Sequence, residues 1–117
     1  MPVYYLTGDL LFSSRVSGAA SNLGVGLQIV GSVGKLLELA AEASECKLVL
    51  IDLTLASLDV ATAVAVIRQR FPTARIVAYG PHVQEQLLQS AVDAGCDEVL
   101  ARGHFDREFG RLLRSAL

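Results

Sequence analysis

Apolar residues along this chain fall into two alternating patterns. Short runs of strand length, VYYL (3–6), GLQIV (26–30), KLVLIDL (47–53), ARIVAY (74–79) and EVLA (98–101), are rich in β-branched or aromatic residues, and most lack polar alternation. Strands covered on both faces have this character, because every side chain meets a packed layer whichever way it points. The second run, with Gln28 in its middle, is the most polar and suits the edge of a sheet. Between the runs lie stretches with helical spacing. In 59–71, Val60, Val64, Ile67 and Phe71 recur three or four apart, and Pro72 follows as a stop. In 83–94, Val83, Leu87, Ala91 and Ala94 form the inward stripe, and Gly95 supplies a left-handed terminator. In 105–116 the stripe is Phe105, Phe109, Leu112 and Ala116, with Arg107, Arg111 and Arg114 on other faces. Gly110 weakens that helix by about 1 kcal/mol relative to Ala. Residues 34–45 (GKLLELAAEASE) and 10–22 (LLFSSRVSGAASN) complete the set, the latter interrupted by Ser and Gly.

Strand and helix thus alternate five times. Parallel neighbours need crossover connections, so this order predicts an α/β domain: a five-stranded parallel sheet, doubly wound, with helices on both faces. Reactive groups in such sheets gather at the carboxyl ends of the strands. Asp52 falls there, at the end of the third strand, and Asp9 lies just past the first. An ionised carboxylate is costly in a dry interior unless it is paired or exposed. The expectation is that the third strand is buried while its last residues emerge.

Composition narrows the class. Hydrophobic residues make up 52% of the 117 and charged ones 19%, which suits one packed domain spanning 1–117 rather than a disordered polymer. Net charge is −2 with no long basic block, so a nucleic-acid-binding role is not expected. No apolar stretch approaches the roughly 20 residues that cross a bilayer, and MPVYYLTGDLLF lacks the basic flank of a secretory signal. Cys46 and Cys96 are widely separated and read as small apolar residues of a reducing, cytoplasmic compartment. Tyr4 and Tyr5, being adjacent, point to opposite faces of the first strand and into packing. His82 and His104 are expected in loops at helix starts, and Ser13-Ser14 at an exposed helix start.

Residue by residue, the chain resembles the receiver domain of bacterial response regulators. IDLTLASLDV places Asp52 at the phospho-acceptor position and Asp59 at the later acid of the family's motif. The family's Pro-Gly becomes Ala56-Ser57 and its final Gly becomes Val60. The tail, AVDAGCDEVLARGHFDREF, follows the family pattern without a gap, with Ala94-Gly95 before the fifth strand. The resemblance implies a flavodoxin-like receiver fold over the whole chain.

The same resemblance marks departures at the reactive site. Receivers hold Mg²⁺ with a pair of acids after the first strand together with the acceptor, since this hard cation takes oxygen ligands. The matching residues are Thr7 and Gly8, and the nearest acid, Asp9, is one position off. The hydroxyl residue ending the fourth strand becomes Gly80, followed by Pro81, and Tyr79 stands where a small hydrophobe is usual. The Lys of the fifth strand becomes Arg102, whose planar guanidinium does not replace a compact ammonium but could form a forked bridge with Asp52.

The expectation is therefore a degenerate receiver that is not an enzyme and works through protein–protein contacts. Its partners would be a histidine kinase, an output domain or a second copy, the last through the fourth helix, fifth strand and fifth helix. That face carries Arg107, Arg111, Arg114, Glu85 and Asp97. The alternative is a conventional receiver phosphorylated on Asp52. No cofactor is expected unless that site works, when Mg²⁺ would sit between Asp9 and Asp52. A third reading, a ligand-binding or enzymatic flavodoxin-like domain, predicts a ligand near Thr7, Asp52 and Gly80. GSVGK (31–35) and GVGLQIVG (24–31) both miss phosphate-loop and dinucleotide spacing, with Ile29 where a glycine is needed.

Overall fold

The apolar runs form the strands that their composition predicts. In a computed structural model describing residues 2–43 and 45–117, the elements are β1 (Val3–Leu6), α1 (Leu10–Leu23), β2 (Leu27–Val30), α2 (Val33–Ala40), β3 (Leu48–Asp52), α3 (Val60–Arg70), β4 (Arg75–Gly80), α4 (Glu85–Asp93), β5 (Glu98–Ala101) and α5 (Arg102–Arg114). The five strands pair in parallel in the order β2-β1-β3-β4-β5. β3 is therefore central, and β2, the most polar run, lies at an edge as expected.

Side chains alternate across the sheet into two cores. Tyr4, Leu6, Val49, Ile51 and Ile76 pack with Leu36, Val64, Ile67 and Ala91 on the α2–α3–α4 side. Val3, Tyr5, Leu48, Leu50 and Val77 pack with Val16, Phe105 and Leu112 on the α1–α5 side. The two adjacent tyrosines do divide between the faces. Helix termini follow local chemistry. Ser32 caps α2 by accepting from Lys35 N (3.0 Å), and Asp59 caps α3 by accepting from Thr62 N (3.3 Å). Gly24 (φ 74°) and Gly95 (φ 96°) take the left-handed conformation that ends α1 and follows α4.

Four local expectations are corrected. α4 starts at Glu85, because Pro81 and His82 enter a turn closed by Gln84 N to Pro81 O (3.0 Å), so Val83 leaves the inward stripe and is 74% exposed. α5 starts at Arg102, directly after β5, and so takes in His104, which faces Glu108 one turn on (3.6 Å). α2 stops at Ala40, whose carbonyl accepts from Ala43 N in a closing turn (3.0 Å), and the Arg70 guanidinium donates to the carbonyls of Ala40 (2.7 Å) and Ala43, satisfying the helix end. Ser44, part of the longer helix expected there, lies outside the described residues. Ser13 is buried, its hydroxyl donating to Leu10 O (3.2 Å), while only Ser14 is exposed.

The amino end of the sheet is braced by Asp97. Its carboxylate accepts from Ile76 N (2.8 Å) and from Arg68 (2.7 Å), and Arg68 also donates to the carbonyls of Ala74 (2.6 Å) and Gly95 (3.0 Å). Partial burial opposes ionisation of Asp97, but the Ile76 N–H and the Arg68 charge outweigh it and hold the carboxyl below its ordinary value. A carboxyl depressed in the folded state stabilises fully above its unfolded value, about 3.9, and ceases to do so as pH falls through the folded value. Asp97→Asn is therefore expected to cost about 1 kcal/mol at neutral pH, discounted for exposure, and to flatten the loss of stability below about pH 4. Urea denaturation midpoints across pH check both.

Candidate functional site

Asp52 ends the central strand and shares the face of Leu48 and Leu50, toward α1 and α5. Contrary to the expectation from the sequence, it does not emerge from the interior: only 4% of it is exposed, and Leu53 after it is as buried. Its charge is met by donors instead. One carboxylate oxygen accepts from the Thr7 hydroxyl (2.7 Å); the other accepts from Thr54 N (2.9 Å) and the Thr54 hydroxyl (2.6 Å). Thr54 went unremarked in the sequence, although an Asp side chain commonly accepts from the backbone N–H two residues on.

Thr7 is buried where β1 leaves the sheet, and its oxygen also accepts from Asp9 N (3.0 Å). Asp9 itself turns away into the start of α1. One of its oxygens accepts from Leu11 N and Phe12 N (3.0 Å each), capping the helix, and the other takes the guanidinium of Arg102. The capping bond from Phe12, ahead of a smaller opposing effect of burial and the nearby Arg102 charge, holds this carboxyl below its ordinary value. The Arg102–Asp52 bridge is thereby corrected. Arg102 opens α5 beside the start of α1, pairs with Asp9 and lies over the Phe12 ring (4.6 Å).

The remaining positions fall as follows. Gly80 ends β4 and presents no hydroxyl; a Cβ there would touch Leu53 and Leu88 at ordinary distances (3.5 Å), so space does not demand glycine. Gly8 has similar room beside Leu55 (3.6 Å). Asp59 is the cap of α3, with Val60 the first residue of that helix. In the loop between, Ser57 adopts φ 62°, a left-handed conformation that glycine takes without strain, so the backbone keeps a glycine-like bend with a side chain on it.

Beneath Asp52 and Thr7 the α1–α5 side is filled by rings. The Tyr5 and Tyr79 hydroxyls share a hydrogen bond (2.5 Å), and Tyr79 stacks on Phe105 with centroids 4.0 Å apart and planes 9° apart. Phe12 leans on both Tyr79 and Phe105. Burial pushes the Tyr5 phenol up to about 12, and burial with the Tyr5 hydroxyl raises Tyr79 as well, so both are neutral at working pH. The structure thus brings Thr7, Asp52 and Thr54 together and joins Asp9 to Arg102. Among the described residues no group of three His, Cys, Asp or Glu side chains is placed to hold a metal ion.

No protein-family model matches the chain, and no curated protein matches it in sequence. Solved structures share its fold. The signal receiver domain of an HD domain-containing protein from Pseudomonas fluorescens Pf-5 superposes with a TM-score of 0.80 at 22% identity, over 98% of this chain and 92% of that one. The receiver domain of NtrX from Brucella abortus gives 0.80 at 17% identity, over 98% and 97%. The beryllofluoride-activated NtrC4 receiver domain dimer gives 0.76 at 12% identity, over 99% and 98%. The chain therefore has the receiver fold: five parallel strands and five helices in the same arrangement. At these identities the likeness is one of architecture.

Removing the Thr7 hydroxyl would leave one oxygen of a buried carboxylate without its partner. Thr7→Ala is expected to cost about 1–3 kcal/mol in urea denaturation, while Thr7→Ser, which keeps the donor, costs less.

Proposed function

We propose that this domain is a receiver-fold signalling module whose phosphorylation site is degenerate and which acts through protein–protein contact, not as an enzyme. The observation that carries this reading is the engagement of Asp52: both carboxylate oxygens already accept hydrogen bonds from threonines. Phosphoryl transfer depends almost wholly on positioning and on charge stabilisation by a metal ion. Mg²⁺ requires near-octahedral oxygen ligation. The residues around Asp52 do not suit it, since Thr7 and Gly8 stand where acids would be, and Asp9 is committed to capping α1 and to Arg102.

The conventional alternative, phosphorylation of Asp52 by a histidine kinase, draws on the scaffold and on the placement of the carboxylate at the end of the central strand. A ligand-binding role has less support. A groove of about 600 Å³ between α3 and α4 is lined by Leu53, Leu58, Val60 and Leu87, not by Thr7, Asp52 or Gly80. Partners within this reading are proteins, in a cytoplasmic setting; no helix among the described residues is long and apolar enough to cross a membrane.

The α4–β5–α5 face, expected to form a homodimer, has less free charge than its sequence suggests. Asp97 is taken by Arg68 (2.7 Å), and Arg111 by Glu98 (2.8 Å) and Glu108 (2.6 Å). Of the five charges expected to mark this face, Arg107, Arg114 and Glu85 have no ion pair among the described residues.

Incubation with a small phosphodonor and Mg²⁺, with a phosphorylatable receiver run in parallel, tests the proposal by intact mass. No phosphoryl adduct is expected. An adduct that disappears in Asp52→Asn would overturn the reading in favour of the conventional switch.

A further inference from the structure

The sheet has two edges, and they are built differently. At β5, Glu98 lies between Arg75 (2.6 Å) and Arg111 (2.8 Å), and Asp97 just before it pairs with Arg68. Charged side chains on an edge strand are a usual guard against pairing with another chain. β2 has no such guard. From Val16 to Gly34 the sequence holds neither a charged residue nor a proline. Gly26, Gln28, Ile29 and Gly31 are all exposed, Ile29 to 43%, unusual for a large apolar strand residue.

The backbone of this edge is also open. Val3 N donates to Gly26 O (2.7 Å) and Thr7 N to Val30 O (3.1 Å), so the even-numbered residues of β2 direct their backbone groups at β1. The N–H and C=O of Leu27 and Ile29 consequently point out of the sheet, where β2 has no neighbouring strand among the described residues. α1 and α2 pack on the opposite faces, through Val16 and Ala20 on one and Leu36 and Ala40 on the other, and leave the edge between them.

We infer that two copies of this chain join β2 to β2, antiparallel across a two-fold axis, into one continuous sheet. In that register Leu27 of one copy and Ile29 of the other exchange both backbone hydrogen bonds, twice over, and Gln28 meets Gln28 at the axis. The second copy is the occupant this edge fits. A two-fold sets residues near the axis against themselves, so any charge there would face its like. This segment carries none, and a Gln amide both donates and accepts, so it can bond to its own image. The pairing does not depend on the state of Asp52, and its failure would leave the phosphodonor result untouched.

Sedimentation equilibrium of the full chain from micromolar to high-micromolar concentration tests this, with Gln28→Lys and Gln28→Glu as variants. Gln28 is exposed and its backbone bonds survive either substitution, so circular dichroism and melting should match the parent. The parent is expected to dimerise reversibly, each variant alone to dimerise about tenfold more weakly or worse, and an equimolar mixture of the two to regain association. A parent that stays monomeric, including one that instead captures an extended peptide, would overturn the inference. So would variants that dimerise like the parent, which would place the interface elsewhere, or a mixture that stays apart.

Discussion

A carboxylate buried at the end of the central strand is the constraint around which the rest of the molecule is arranged. Removing such an ion from water costs several kcal/mol even after relaxation. Hydrogen bonds to a charged group return about 1.5–3 kcal/mol each. The three donors that Thr7 and Thr54 supply to Asp52 are therefore enough, in order of magnitude, to hold it there without a cation. That solution frees Arg102. With Asp52 already satisfied, the guanidinium joins Asp9, and the carboxyl end of the sheet divides into a neutral-donor cluster and an ion pair fastening α5 to α1.

The fastening continues along the α1–α5 side. Arg15 pairs with Asp106 (2.5 Å) and lies over the rings of Phe12 and Phe109. Tyr5, Phe12, Tyr79, Phe105 and Phe109 form one contiguous cluster of rings beneath these pairs. A conformational switch needs an element with two arrangements of similar free energy. A stack as close as Tyr79 on Phe105, pinned by a buried phenol–phenol bond, has few alternatives at native packing density. This supports the proposed reading, in which the surface is presented without waiting for a charge at Asp52.

Sequence patterns reach far into this fold and less far into its site. Buried parallel strands announce themselves through runs such as KLVLIDL, and Gln28 marked β2 as an edge because a fully covered strand would not tolerate it. Helix starts lie within one residue of expectation where a capping side chain exists, as at Ser32 and Asp59, and two or three residues away where none does. α5 begins behind Ala101 with no side-chain cap, and α4 behind Gln84 likewise. At the site, the sequence offered Arg102 two acids at the same end of the sheet, Asp9 and Asp52. The choice between them turns on which one shares the α1–α5 junction with the start of α5, a matter of packing that one-dimensional spacing does not contain. Resemblance to receivers pointed to these positions, but the bridge suggested from Arg102 took no account of other donors to Asp52.

The distribution of charge ties these features to how the molecule meets others. Before Lys35 the only charged residues are Asp9 and Arg15, and both are spent on α5, through Arg102 and Asp106. Among the described residues, α1 and β2 themselves thus carry no uncommitted charge, while the β5 side is laced with arginine–carboxylate networks. With a net charge of only −2, long-range steering is weak everywhere. Contacts made on the β2 side must rest on backbone pairing and apolar burial, forces that act at short range and that salt scarcely screens. Contacts made on the β5 side must first compete with ion pairs already formed inside the domain. The two flanks of one sheet are therefore suited to association of different kinds, and the difference follows from where the sequence spends its few charges.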